Sequence, residues 1–213
     1  MSYQYVKDPI VIEQNSFQQI RELTELGHFD REQQQVVMRI VHSCGLPEVA
    51  TQVRFSANAC SAVLTALAAG GRILCDVEMV KHGITKRMIA HEPVCLLNDS
   101  HTAELAKQSG ETRSMAALAL WQEQLAGSIV LIGNAPTALY RLLEMVAEGA
   151  ERPAAVIAMP VGFIGAAESK QALWDDHRSL GLECITLLGR QGGSAITASA
   201  LNALLRCQRG EWY

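Results

Sequence analysis

The stretch Ile129-Val130-Leu131-Ile132-Gly133-Asn134-Ala135-Pro136-Thr137 decides the fold class of this 213-residue chain. Four consecutive apolar residues without an intervening polar residue are typical of a strand that is buried on both faces of a sheet. Gly133 and Pro136 then mark a short loop, and the residues that follow predict a helix over 137–149. A strand, a loop and a helix in this order form the repeating unit of an α/β protein.

Four further apolar runs have the same continuous character. They occupy residues 73–77, 94–97, 154–158 and 184–188, and helices are predicted over 112–126, 166–180 and 195–206. Strands that alternate with helices form a parallel sheet with right-handed crossovers. The sequence therefore predicts a three-layer α/β/α sandwich with a mainly parallel sheet of about five strands, formed as a single domain by residues 1–213.

Three more helices are predicted before the sheet begins. Capping-box spacings start the first at Ser16 and the second at Asp30, and Ser56 is expected to cap the third, which ends at Gly70. The second helix should end at Cys44, because Gly45 can adopt the left-handed conformation that terminates a helix.

His42 lies in the last turn of that second helix. The negative end of the helix dipole favours the imidazolium form, whereas burial in an apolar pocket favours the neutral ring. A histidine in this balance can donate and accept a proton near neutral pH. Taken alone, a histidine here is more commonly a dipole partner or a packing residue, so its neighbours must decide its role.

Glycine-containing loops follow three of the predicted strands, at residues 133–137, 159–165 and 189–194. Each loop leads directly into a helix, so its backbone N–H groups can bind anionic oxygens. Because ligands of α/β sheets bind at the carboxyl ends of the strands, near a topological switch point, we expect an anion site there. The loops match neither the dinucleotide nor the P-loop motif, and they suit dispersed carboxylates better than one pyrophosphate.

Charged residues near the same edge have different interpretations. Arg113 is expected in the first turn of a helix, where the dipole disfavours a cation, so we interpret it as a carboxylate-binding residue. Lys81, Lys86 and Arg87 are interpreted as a solvated face. Asp76, at the end of the first apolar run, either orients a donor or caps the next turn.

The composition of the chain argues against several classes of function. A chain with 49% hydrophobic residues, 19% charged residues and a net charge of −4 is expected to be globular and to lack a nucleic-acid-binding surface. We expect no membrane association and a cytoplasmic location, because no signal peptide or transmembrane-length apolar run is present. The six cysteines lack a C-x-x-C pair and the six histidines are scattered, so no bound metal is expected.

Several motifs, which follow one another along nearly the whole chain, resemble the precorrin-8X methylmutase family of vitamin B12 biosynthesis. They are Ser16-Phe17, Val41-His42-Ser43-Cys44-Gly45, the segments 73–80 and 82–85, Thr112-Arg113-Ser114, and the segments 133–139, 159–163, 165–170, 192–195 and 200–202.

The resemblance implies a Rossmann-like fold and an isomerase that needs no cofactor. Its reaction would move a methyl group from C-11 to C-12 of ring C, converting precorrin-8X to hydrobyrinic acid. It also implies a homodimer whose active sites lie near the subunit interface. The catalytic histidine of the family falls on His42, and its substrate contacts fall on Ser16, Thr85 and Arg113.

The residues themselves fit this chemistry. A methyl shift on a conjugated ring system needs an electronic push, which a proton from His42 to a ring nitrogen would supply. The carboxylates of the substrate would be bound by Arg113 and by the glycine loops, with Asn134, Gly162, Gly192, Gly193 and Ser194 as the expected contacts. Three alternatives stay open: a cobalt-precorrin-8 methylmutase of the anaerobic route, a non-catalytic corrinoid carrier, and a nucleotide-binding α/β protein.

Overall fold

The computed structural model describes residues 2–213, and its centre is a sheet of five strands with helices on both faces. The strands are β1 (Val53–Phe55), β2 (Ile73–Cys75), β3 (Ile129–Ile132), β4 (Ala155–Ala158) and β5 (Cys184–Leu187). Their order across the sheet is β1-β5-β4-β3-β2, with β2 to β5 parallel and β1 antiparallel to β5. Every residue of β2 to β5 is buried, as continuous apolar runs predict.

The helices form a layer on each face of this sheet. They are α1 (Pro9–Leu23), α2 (Arg31–Cys44), α3 (Ala59–Ala68), α4 (Glu78–Gly83), α5 (Ser100–Ser109), α6 (Arg113–Ala119), α7 (Pro136–Ala147), α8 (Ala166–Leu180) and α9 (Ser194–Gln208). One hydrophobic cluster joins the sheet to α2, α3 and α9, and a second joins the opposite face to α6, α7 and α8. The three-layer α/β/α sandwich with a mainly parallel sheet is confirmed.

The connections after β4 and β5 leave the sheet in opposite directions. The chain passes from β4 to α8, which packs in the second cluster, and from β5 to α9, which packs in the first. Adjacent strands whose connections diverge in this way create a crevice at their carboxyl ends, the topological switch point of an open sheet. Two of the three glycine loops lie at this crevice.

One predicted strand was wrong. Of residues 94–97, only Val94 pairs with the sheet, through a single parallel bridge to Leu74. Beyond it the backbone turns, and the Leu96 carbonyl accepts a hydrogen bond from the Thr102 hydroxyl at 2.6 Å. The fifth strand is β1 instead, which has three residues and an arginine in its centre and therefore lacks a continuous apolar pattern.

Two of the three predicted helix starts were also wrong. The first helix begins at Pro9, because the Asp8 carboxylate accepts hydrogen bonds from the N–H groups of the first turn and Pro9 suits that turn. Ser16 therefore lies within α1, where its hydroxyl donates to the Ile12 carbonyl at 2.7 Å. Ser56 does not cap α3, since its hydroxyl binds the Glu183 carboxylate.

The start and end of α2 follow the sequence signals closely. The Asp30 carboxylate accepts from the Gln33 N–H at 2.8 Å, and the Gln33 side chain accepts from the Asp30 N–H at 3.1 Å, which confirms the capping box. Gly45 ends the helix with a φ of 72°. The predicted helix over 112–126 is shorter, because α6 ends at Ala119 and a 3₁₀ turn follows over Gln122–Gln124.

Within residues 2–213, the structure contains no helix with the length and apolarity needed to cross a membrane.

Candidate active site

Asp76 organises the first glycine loop at the carboxyl edge of the sheet. Its buried carboxylate accepts hydrogen bonds from the N–H groups of Gly133 at 3.0 Å, Asn134 at 2.9 Å and Ala135 at 2.9 Å. Burial raises the pKa of Asp76, and these three bonds oppose that rise by stabilising the carboxylate. The amides that we expected to bind a ligand are therefore occupied by an internal carboxylate, which corrects the prediction for this loop. The side chain of Asn134 remains exposed at the edge.

The other two glycine loops are joined to each other at the switch point. The Gly193 N–H donates to the Met159 carbonyl at 2.8 Å, and the Gly162 N–H donates to the Arg190 carbonyl at 3.3 Å. A Cβ on Gly192 would lie 2.1 Å from the Met159 oxygen, so only glycine fits there. Because these contacts use the N–H groups of Gly162 and Gly193, the N–H groups still available at this edge are those in the first turns of α8 and α9.

Lys170 supports the loop between β5 and α9. Its side chain is fully buried, and its ammonium group donates to the Gln191 carbonyl at 2.5 Å. Burial lowers the pKa of Lys170 to about 8. Lys170 lies in one of the motifs that carry the family resemblance, but the sequence predicted no role for it, because a lysine on a helix is expected to be exposed.

His42 is exposed at the end of α2, with its imidazole stacked on the phenyl ring of Phe17. The ring centroids are 5.0 Å apart and the planes differ by 13°. Partial burial and the charge of Arg39 lower the pKa of His42, while the Glu13 carboxylate raises it less. The free protein therefore favours the neutral imidazole near pH 7.

Helix α9 brings the region of His42 close to Thr85. The Ser199 hydroxyl lies 3.5 Å from that of Ser43, next to His42, while the Asn202 side chain accepts from the Thr85 N–H at 2.8 Å. Residues three apart on a helix are neighbours on one face, so both contacts lie on the same side of α9. Asn202 was not predicted as a site residue, although the segment 200–202 is one of the motifs that carry the family resemblance.

Arg113 lies in the first turn of α6, as predicted, and is exposed. Its guanidinium donates to the Leu97 carbonyl at 2.9 Å and to the Asn98 side chain at 3.1 Å. The preceding residue, Thr112, caps the helix, and its hydroxyl lies 3.0 Å from that of Thr137 at the start of α7. Arg113 is thereby placed on the side of the sheet opposite to His42 and Thr85, at the same carboxyl edge.

A cavity of about 730 Å³ lies at this edge between α8 and Gly189, the first residue of the loop after β5, and its walls include Glu168, Asp175 and Asp176. Acidic walls repel a polycarboxylate, so this cavity does not suit the expected ligand. Exposed apolar side chains do lie at the candidate edge, where Phe163 is 87% and Ile164 is 92% exposed.

No three His, Cys, Asp or Glu side chains in the described part of the chain lie close enough together to hold a metal ion. The six cysteines are free thiols, and burial raises the pKa of Cys95 and Cys207 to about 11. These thiols pack as small apolar groups.

Comparison with known proteins decides the family. The family model described as precorrin-8X methylmutase matches residues 11–207. The chain belongs to the precorrin-8X methylmutase family. It is therefore an isomerase of cobalamin biosynthesis, and the alternatives of a non-catalytic carrier and a nucleotide-binding protein are set aside.

Individual relatives support this assignment over their full length. The chain is 50% identical to a precorrin-8X methylmutase from Sinorhizobium sp over 206 residues, which covers 96% of the chain and 97% of the relative. It is 45% identical to a precorrin-8X methylmutase from Pseudomonas aeruginosa, covering 94% and 96%. A crystal structure of precorrin-8X methylmutase from Thermus thermophilus matches with a TM-score of 0.85 and 36% identity, covering 96% and 98%.

Proposed function

We propose that this methylmutase moves a methyl group from C-11 to C-12 of ring C, converting precorrin-8X to hydrobyrinic acid, with His42 as the proton-transfer group. The observation that carries the proposal is the position of His42, an exposed imidazole on an aromatic ring at the end of α2. The Sinorhizobium and Pseudomonas relatives bear the name of the metal-free precursor, which supports precorrin-8X over a cobalt-containing substrate.

The reaction needs only one proton to move and return. The imidazolium of His42 donates a proton to a pyrrolic nitrogen, the methyl group migrates to the neighbouring electrophilic carbon, and the nitrogen returns the proton to His42. The substrate carboxylates raise the pKa of His42 when they approach, which supplies the imidazolium that the free protein disfavours. A general acid of this kind contributes about 10²–10⁴ in rate.

The carboxylates of the substrate are bound by dispersed donors around the edge of the sheet. Thr85 and Arg113 supply side-chain donors, and Ser16 donates by exchanging its bond to the Ile12 carbonyl for one to the substrate. Asn134 acts through its exposed side-chain amide, because its backbone N–H is bonded to Asp76. The remaining anion contacts lie where the loops of Gly162 and of Gly192, Gly193 and Ser194 lead into α8 and α9. The N–H groups of Gly162 and Gly193 are bonded to backbone carbonyls, so the first turns of the two helices, from Ser194 onward in α9, supply the donors.

We also propose a cytoplasmic homodimer in which residues 1–213 act as a single methylmutase-like domain. Exposed apolar side chains at the candidate edge, among them Met79, Phe163 and Ile164, support a second subunit near the site. The free thiols of the cysteines suit a reducing compartment. Light scattering after size-exclusion chromatography tests the dimer, and a monomer mass at micromolar concentration would contradict it.

Absorption spectroscopy of the purified protein with metal-free and cobalt-containing precursors tests the reaction. Wild-type protein is expected to produce the spectral change of methyl migration with the metal-free precursor, whereas His42→Ala should bind the precursor without converting it. Faster conversion of the cobalt compound would reassign the substrate. Turnover of His42→Ala within about tenfold of wild type would remove His42 from the mechanism.

A further inference from the structure

The rings of Tyr213, Phe17 and His42 form one stack, with Phe17 in the middle. The rings of Tyr213 and Phe17 lie 3.6 Å apart at an angle of 10°, and Phe17 in turn stacks on His42. Phe17 is only 3% exposed, so its ring is held by its neighbours on all sides. The position of the imidazole therefore depends on what packs against Phe17.

A set of charged groups surrounds Tyr213. Its hydroxyl donates to the Glu13 carboxylate at 2.5 Å and accepts from the guanidinium of Arg39. Glu13 also forms ion pairs with Arg39 at 3.2 Å and with Arg206 at 3.8 Å. The guanidinium carbons of Arg39 and Arg206 lie 4.8 Å and 4.6 Å from the centre of the Tyr213 ring. Tyr213 is thus fixed by its ring and by its hydroxyl.

Two of these charged groups, Arg39 and Glu13, act on His42 as well. Arg39 lies one turn before His42 on α2, Glu13 is on α1 and Arg206 is on α9. Arg39 disfavours the imidazolium and Glu13 favours it. Because Tyr213 contacts these three groups, it holds both the ring on which His42 rests and the charges that His42 experiences.

We propose that Tyr213 is a positioning residue for His42, acting through Phe17 on the orientation of the imidazole and through Glu13 and Arg39 on its proton affinity. The proposal rests on the proposed function of His42. It assigns a role to the segment after α9 that its sequence does not suggest.

The pKa of His42, measured by NMR titration of its ring protons without substrate, tests the coupling. Tyr213→Leu removes the ring and admits water beside Phe17, so the pKa of His42 should rise by about 0.5 or more. Tyr213→Phe retains the ring and should return the pKa most of the way to the wild-type value. Tyr3→Leu, which makes the same substitution at a tyrosine that is 79% exposed, serves as the control.

Measurement of kcat and KM distinguishes a positioning role of Tyr213 from a simple loss of folded protein. For Tyr213→Leu we expect kcat to fall by about tenfold with KM within about twofold, because the substrate contacts stay intact. If this variant does not fold, Glu13→Gln tests the same network, and the pKa of His42 should fall because a favourable charge is lost.

An unchanged His42 pKa in folded Tyr213→Leu, or in Glu13→Gln where Tyr213→Leu does not fold, would overturn the proposal. Failure of the proposed function has a different signature, since His42→Ala would then retain turnover whatever the titration shows.

Discussion

Replacement of Lys170 by methionine should abolish a rise in stability between pH 8 and pH 10.5. The lysine is fully buried in the folded protein, where its pKa is about 8, against an ordinary value of 10.5 in the unfolded chain. Between these values the unfolded state binds more protons, so the free energy of unfolding increases with pH. The gap between 10.5 and about 8 corresponds to about 3 kcal/mol.

Urea unfolding followed by circular dichroism at several pH values from 7.5 to 10.5 measures this effect. Burial raises the pKa of cysteine thiols in the folded state, so these thiols titrate in this range when either protein unfolds. The informative quantity is therefore the difference between wild type and Lys170→Met. That difference should change by about 3 kcal/mol in favour of wild type as the pH rises. Lys107→Met, at an exposed position, is the matched control and should parallel wild type. If the Lys170→Met curve also stays parallel to wild type within about 0.5 kcal/mol, the buried-ammonium argument is refuted.

Three further predictions concern the carboxyl edge of the sheet. Asp76→Asn keeps the shape of the side chain but sets an NH₂ group against the N–H donors of loop 133–135, so urea unfolding should show a loss of about 2–4 kcal/mol; a loss below about 0.5 kcal/mol would contradict the role of the carboxylate. Gly192→Ala forces a Cβ towards the Met159 oxygen and should destabilise the protein by more than about 2 kcal/mol, an effect that unchanged thermal unfolding would disprove. Arg113→Ala should weaken substrate binding by about 1.5–3 kcal/mol in a fluorescence titration, and an unchanged Kd would exclude Arg113 from the site.

The parts of the fold that could be predicted are those decided by local sequence. Four strands follow from continuous apolar runs, and α2 follows from Asp30 and Gly45. The same kind of local signal failed at Ser16 and Ser56, because Asp8 starts its helix earlier and Glu183, from a distant segment, binds the Ser56 hydroxyl. A cap signal identifies a side chain able to accept a hydrogen bond, but tertiary partners decide which bond forms.

In the candidate site, too, local features could be predicted and contacts between distant segments could not. The position of His42 at a helix end followed from the residues around it, whereas its contact with Phe17 and the support from Tyr213 join residues that are distant in sequence. The engagement of loop 133–135 by Asp76 was not predictable either, since glycine loops look alike whether their amides are free or occupied.

The packing of α2 against α9 has a consequence for how the protein is made. The apolar face of α2 is covered by the last helix of the chain, and β1 pairs with the last strand. During synthesis α2 leaves the ribosome long before α9, so the apolar face of α2 stays uncovered on the nascent chain until α9 has emerged. This half of the molecule can be completed only after residues 194–208 have left the ribosome.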